Sequence, residues 1–261
     1  MSKLLMVLAL LASACSAQTR DTVVDLSRQF EGLQGAFVLF DLQKQQYTRH
    51  NPIQCAERFP PASTFKIPNS LIGLETGVIR DQHFVIPWDS VRRPVAEWNR
   101  DHDLQSAIRV SAVWYYQELA RRVGYEKMSR WVDTLGYGNR DISGGVERFW
   151  LGSSLLISAN EQVEFLKRLQ RNDLPFSQRS MQIVKEILIL EKNESYILRG
   201  KTGFSTEVNG LVAGWFVGYL ERGSNVYFFA TNITGPEEEG DRIFRRRKEI
   251  CLSILRELGL L

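Results

Sequence analysis

An α/β (α+β) fold is predicted, with an antiparallel sheet built from both ends of the chain, flanking helices, and a mainly helical lobe inserted in the middle. Three features predict it. Strand-like runs stand early, at Gly35–Asp41 and Gln46–His50, and return late, at Tyr196–Phe204, Leu211–Leu220 and Asn225–Ile233. Between them, from about 62 to 190, apolar residues recur at helical spacing. No repeat, linker or low-complexity segment interrupts the order.

The first 17 residues have the layout of a secretory signal. Lys3 precedes the apolar run Leu4–Ala12, and the small residues Ser13, Ala14, Cys15, Ser16 and Ala17 follow. The run is too short for a permanent membrane anchor. Cleavage after Ala17 leaves a soluble exported protein. Cleavage before Cys15 would expose a cysteine able to carry lipid, but the residues before it match such a site less well. The mature chain, 18–261, then reads as a single catalytic domain with a sheet lobe at 18–61 plus 191–261 and a helical lobe at 62–190. The cleft between the lobes is the natural place for a site.

Within the sheet lobe, the first two strands make a hairpin around Leu42–Gln45. Pro60-Pro61 limits backward extension of a helix that starts at Ala62-Ser63-Thr64-Phe65-Lys66. Ser106–Val123, with Ile108, Val113, Tyr116 and Ala120 recurring, reads as a second helix. Ala159–Leu169 is a third, with Ser158 as its cap and Glu161 as the reciprocal partner. A last helix occupies about 241 to 259.

Composition excludes several classes of function. The chain has 261 residues, 44% hydrophobic and 24% charged, enough for a sizeable core. Its 33 basic residues against 30 acidic ones leave a net charge of only +3, without the basic stripe of a nucleic-acid binder. The run Arg245–Lys248 follows Glu237–Glu239 and Asp241 and reads as a solvated helix face, with one arginine free to face a ligand. His50, His83 and His102 are scattered, so no metal site is expected. Export would permit a disulfide between Cys55 and Cys251, but their separation favours neither a bridge nor two free thiols.

The chemistry concentrates in a few short stretches. Ser63 and Lys66 are three residues apart and share one helical face. Amides at the helix start would stabilise negative charge beside Ser63. Apolar neighbours Phe65, Ile67 and Pro68 would desolvate Lys66 and favour a neutral amine. Such an amine can take a serine proton, or react with carbon dioxide to form an anionic carbamate; the sequence leaves both open. The competing reading is an exposed lysine on a surface helix. Ser111-Ala112-Val113, at the start of or within a helix, offers a hydroxyl to relay a proton or a serine that merely packs. Lys201-Thr202-Gly203 is either a strand edge or a binding place for a substrate carboxylate, with Gly203 leaving room for a ligand backbone. Trp150-Leu-Gly152 and Tyr137-Gly-Asn139 add an indole donor and a tight polar turn.

Serine, lysine one turn later, a second serine motif and then K-T-G is the order shared by penicillin-binding proteins and serine β-lactamases. Within that superfamily the chain most closely resembles the class D, oxacillinase-type β-lactamases. The residues that carry the resemblance are P-A-S-T-F-K-I-P-N at 61–69, S-A-V at 111–113, Y-G-N at 137–139, F-W-L at 149–151 and K-T-G-F at 201–204. Flanking stretches at 73–79, near 141–146 and at 157–166 extend it over essentially the whole mature chain.

The resemblance implies a penicillin-binding/transpeptidase-like fold and a periplasmic enzyme that hydrolyses penicillins and oxacillin-like β-lactams. Ser63 would be the acylated nucleophile. Lys66, N-carboxylated by carbon dioxide or bicarbonate, would be the general base in both half-reactions. Ser111 would shuttle a proton towards the lactam nitrogen, Val113 would wall the carbamate, and Trp150 would hydrogen-bond it. Lys201, Thr202 and Gly203 would line the carboxylate side, and the amides of Ser63 and Phe204 would form the oxyanion hole. Arg247, among three consecutive arginines, would pair with the β-lactam carboxylate. Tyr137 and Asn139 would shape the cleft floor. No other cofactor and no nucleic-acid partner is implied, and a monomer and a homodimer are both compatible. Gly152 departs from the acidic residue of many relatives and is expected to loosen the loop that presents Trp150. The alternatives are a penicillin-binding receptor or peptidoglycan D,D-peptidase that deacylates slowly, and a non-catalytic binding module.

Overall fold

The computed structural model describes residues 19–152, 154–208 and 210–261; the signal-like leader, its alternative cleavage site at Cys15, and Ser153 lie outside the described residues. In chain order the elements are β1 (Arg20–Val23), α1 (Ser27–Phe30), β2 (Gln34–Asp41), β3 (Gln46–His50), α2 (Pro52–Ala56), β4 (Arg58–Phe59), α3 (Lys66–Glu75), α4 (Leu104–Arg109), α5 (Val113–Val123), α6 (Tyr125–Leu135), β5 (Ile157–Ser158), α7 (Ala159–Arg171), α8 (Gln178–Ile187), β6 (Ile189–Lys192), β7 (Ile197–Val208), β8 (Leu211–Arg222), β9 (Asn225–Gly235) and α9 (Gly240–Glu257).

The seven-stranded sheet has the order β1-β3-β2-β9-β8-β7-β6, so the N-terminal hairpin pairs with the C-terminal strands through β2 and β9. Its central strands read as nearly continuous apolar runs because both faces are covered. On one face Phe37, Phe216, Phe229 and Ile233 meet Ile243, Ile250 and Ile254 of α9. On the other, Val38, Trp215, Val217 and Ala230 join the core of the helical lobe and Val163 and Leu166 of α7. The mixed fold expected from the sequence is present. The sheet is not wholly antiparallel, however: β1 runs parallel to β3, with Arg20 opposite Gln46. Every residue of β1 is exposed, so it carries no apolar alternation to read.

Cys55 and Cys251 are free and buried in separate cores on opposite faces of the sheet, which answers the disulfide question. The capping box of α7 forms as expected, with Glu161 N–H on Ser158 Oγ and Ser158 N–H on the Glu161 carboxylate.

The helix expected over Ser106–Val123 is two helices. Asp103 and Ser106 cap α4, which closes with Ser111 N–H on the Ile108 carbonyl and Ala112 N–H on the Ala107 carbonyl. That pair of bonds is a Schellman closure, whose left-handed residue is usually glycine. Here it is Ser111, with φ 56°. The Trp98 indole donates to the Val110 carbonyl at 2.9 Å, occupying the acceptor that a continuing helix would have used. Packing by Trp98, 12 residues upstream, overrides the periodicity.

Candidate active site

The Ser63 segment is a 3-10 turn, Ala62–Phe65, that runs into α3 at Lys66. It begins from Ala62 at φ 46°, a left-handed conformation that costs a non-glycine residue on the order of 1–3 kcal/mol unless its surroundings hold it. They do. The Trp215 indole donates to the Pro60 carbonyl at 2.9 Å, and the Thr64 hydroxyl and N–H both donate to the Pro61 carbonyl. Gln162, fully buried on α7, donates to Thr64 Oγ1 at 2.8 Å and accepts from the Tyr137 hydroxyl. Sequence reasoning missed Gln162 and Trp215; each looks like an ordinary helix or strand residue, and only their buried polar ends mark them.

The turn brings Lys66 Nζ to 2.7 Å from Ser63 Oγ. Lys66 is 1% exposed. Burial first, and the neighbouring Lys201 charge second, hold its pKa well below the usual lysine range. The surface-lysine reading is therefore wrong for this residue. Lys201 on β7 is also buried, and burial with the nearby Arg247 lowers its pKa to about 7. Arg247 on α9 has its own pKa lowered to about 10 by burial. Of the three consecutive arginines, Arg246 is tied to Glu31 and Glu249, while Arg247 turns towards β8. Lys66, Lys201 and Arg247 thus form a cluster of basic side chains that lower one another's affinity for protons, and none of them has an ion-pair partner among the described residues.

Gly203 behaves differently from expectation. A side chain there would stand 2.9 Å from the Pro61 carbonyl and 3.1 Å from Thr64 Cγ2. The space belongs to the chain's own Ser63 turn, not to a ligand backbone. Beside it, Thr202 and Lys201 border a cavity of about 670 Å³ that Gln105, Ile108 and Arg109 close from α4. Phe204, one residue on, meets Phe244 of α9 edge to face at 5.4 Å.

Trp150 is fully buried and stacks on Phe65 at 5.5 Å, yet its indole N–H has no partner among the described residues. Its loop is pinned: Ser154 Oγ accepts from Gly144 N–H and donates to the Phe149 carbonyl, and Asn139 bonds both Ser154 O and Leu156 N–H. Gly152 N–H bonds the Arg148 carbonyl, with open space around its Cα. Tyr137 underlies Phe65 edge-on at 5.6 Å. Tyr137 and Asn139 therefore brace the Ser63 turn and the Trp150 loop.

Ser111 sits in the break between α4 and α5, and Val113 opens α5. One turn on, Tyr116 places its ring centroid 5.3 Å from Lys66 Nζ, and its hydroxyl is hydrogen-bonded to Ser70, which in turn donates to the Lys66 carbonyl. The sequence showed Tyr116 only as a periodic apolar position. Among the described residues no group of His, Cys, Asp and Glu could hold a metal ion.

A half-buried serine beside a buried lysine, on a turn held against β7 and β8, is an arrangement suited to acyl transfer, and known proteins resemble the chain that carries it. Residues 35–254 match the penicillin binding protein transpeptidase domain. Beta-lactamase OXA-48 of Klebsiella pneumoniae is 47% identical over 207 residues, 79% of this chain and 78% of that protein. The crystal structure of the class D beta-lactamase YbXI from Nostoc superposes with a TM-score of 0.86 at 44% identity, covering 91% of this chain and 100% of that one. The C-terminal domain of the Bacillus licheniformis BlaR penicillin-receptor superposes with a TM-score of 0.87 at 38% identity, covering 93% and 98%. The chain belongs to this transpeptidase-domain family and, within it, to the class D serine β-lactamases.

Proposed function

We propose that the mature chain, 18–261, is exported to the periplasm behind the leader at 1–17 and hydrolyses β-lactams, penicillins and oxacillin-like compounds among them. The observation that carries this reading is the 2.7 Å contact between Ser63 Oγ and the buried Lys66 amine, whose pKa burial holds well below the usual lysine range. Ser63 Oγ attacks the lactam carbonyl as its proton passes to the base at Lys66. The amides of Ser63 and Phe204 take the oxyanion. The C–N bond breaks as Ser111 relays the proton held at Lys66 to the leaving nitrogen, which restores the base and leaves Ser111 protonated; this is a reason for a serine at a position that favours glycine. Water, deprotonated at the same base, then attacks the Ser63 ester, and the acyl–Oγ bond breaks as that proton returns from Lys66 to Ser63 Oγ, freeing the enzyme. Lys201, Thr202 and Arg247 bind the substrate carboxylate, and Gly203 lets β7 lie against the nucleophile turn.

Carboxylation of Lys66 fits the residues present. The amine is buried, with its pKa lowered by that burial, and the Trp150 indole N–H, without a partner among the described residues, is a donor for an anion, with Val113 as apolar wall. A carbamate there would supply an anionic base for both half-reactions.

The test is steady-state hydrolysis of a chromogenic β-lactam with and without bicarbonate. Many turnovers that rise with bicarbonate support the enzyme and its carboxylated lysine. Turnover indifferent to bicarbonate, even after carbon dioxide is stripped at low pH, removes the carbamate from the mechanism. Likeness to a penicillin-receptor domain supports a second reading, which predicts a single stoichiometric burst. A binding module would form no covalent adduct, and Ser63→Ala should abolish the adduct in the enzyme and the receptor alike.

A further inference from the structure

Arg247 does not stand alone at the site. Its guanidinium carbon lies 3.8 Å from the ring centroid of Phe244, three residues earlier on α9. Phe244 in turn meets Phe204 edge to face, at 5.4 Å and 89°. The three side chains make one stack that ties α9 to β7 just past Lys201. Arg246 is held by Glu31 and Glu249, whereas Arg247 has no carboxylate partner and its buried Nε donates to nothing among the described residues. A long side chain without an anchor would lose rotamer freedom on capturing a carboxylate. The ring face supplies an anchor that leaves the guanidinium edge free.

We infer that Phe244 is a positioning residue, holding the Arg247 guanidinium ready for the substrate carboxylate. The inference rests on the reading of Arg247 as that carboxylate's partner. Phe244 is 50% exposed, so its removal should leave the core intact.

The test compares Phe244→Ala and Phe244→Tyr with the wild type, using one penicillin and its carboxylate methyl ester. Phe244→Ala should raise KM for the free acid about fivefold, in the range of a partly exposed cation–π contact, with kcat little changed. Phe244→Tyr, which keeps a ring face, should restore the wild-type KM. For the ester, wild type and Phe244→Ala should share one kcat/KM, and in an Arg247→Ala background Phe244→Ala should add no further loss. An unchanged or lower KM in Phe244→Ala would overturn the inference. So would an equal loss on the ester, because Phe244 would then be touching the substrate directly. If Arg247→Ala leaves KM for the free acid unchanged, the carboxylate assignment itself fails, a result distinct from either.

Discussion

Gly203 on β7 lies so close to Pro61 that a side chain there would stand 2.9 Å from the Pro61 carbonyl oxygen. Strand and Ser63 turn are in backbone contact, and neither atom belongs to a flexible side chain. Gly203→Ala should push them apart and lower kcat/KM about 100-fold, since small misplacements at a reacting centre cost that much. The overpacking should cost only about 1–3 kcal/mol of stability. Kinetics alongside thermal unfolding check this; a variant with wild-type kinetics would show that the contact relaxes without moving Ser63.

Gln162 bridges Thr64 and Tyr137 beneath the same turn. Gln162→Leu keeps the volume roughly but leaves two buried hydroxyls short of a partner, a cost of about 1–3 kcal/mol. At roughly 2–4 °C per kcal/mol for a chain of this size, Tm should fall by several degrees. The rate of acylation, read by mass spectrometry with a slowly released β-lactam, should fall with it. Loss of Tm without loss of acylation would make the bridge purely structural.

Trp150 has a buried N–H with no partner among the described residues and a ring stacked on Phe65. Trp150→Phe keeps an aromatic ring and removes the donor. A hydrogen bond to a charged group contributes about 1.5–3 kcal/mol, roughly 10- to 100-fold. The bicarbonate concentration giving half-maximal activity should rise by that factor, while the smaller ring in the buried site lowers Tm by a few degrees at every bicarbonate concentration. An unchanged bicarbonate requirement would remove Trp150 from the base.

Lys201 has a folded-state pKa of about 7, against about 10.4 in an unfolded chain. Between those values the unfolded chain binds the extra proton, so this group makes stability rise with pH across that window. Below about pH 7 both states are protonated, and the full penalty of a buried charge applies. Lys201→Met should therefore exceed the wild type in denaturant midpoint most at pH 6, and the margin should shrink towards pH 10. A margin independent of pH would mean that Lys201 is not desolvated as its burial implies. Activity of the Met variant should be low throughout.

Much of this site was legible because its residues lie in short local patterns. Ser63 and Lys66 needed only helical spacing to be paired, and the structure sets them 2.7 Å apart. The cap of α7 and the main strands were equally local, since periodicity and capping depend on neighbours a few residues away. Ser106–Val123 was read as one continuous helix because the cause of the break at Ser111, the Trp98 indole on the Val110 carbonyl, is a packing contact. Gln162, Trp215 and Tyr116 carried no signal beyond ordinary helix or strand patterns.

By itself the sequence determined the mixed fold, the pairing of Ser63 with Lys66, and the family to which the motifs point. Only the tertiary structure decided that Ala62 and Ser111 hold left-handed conformations, that Arg247 is the inward arginine, and that Gly203 makes room for Pro61. The reason is physical. Spacing along a chain encodes which face a residue shares, whereas strain, desolvation and close approach arise only when distant segments press together.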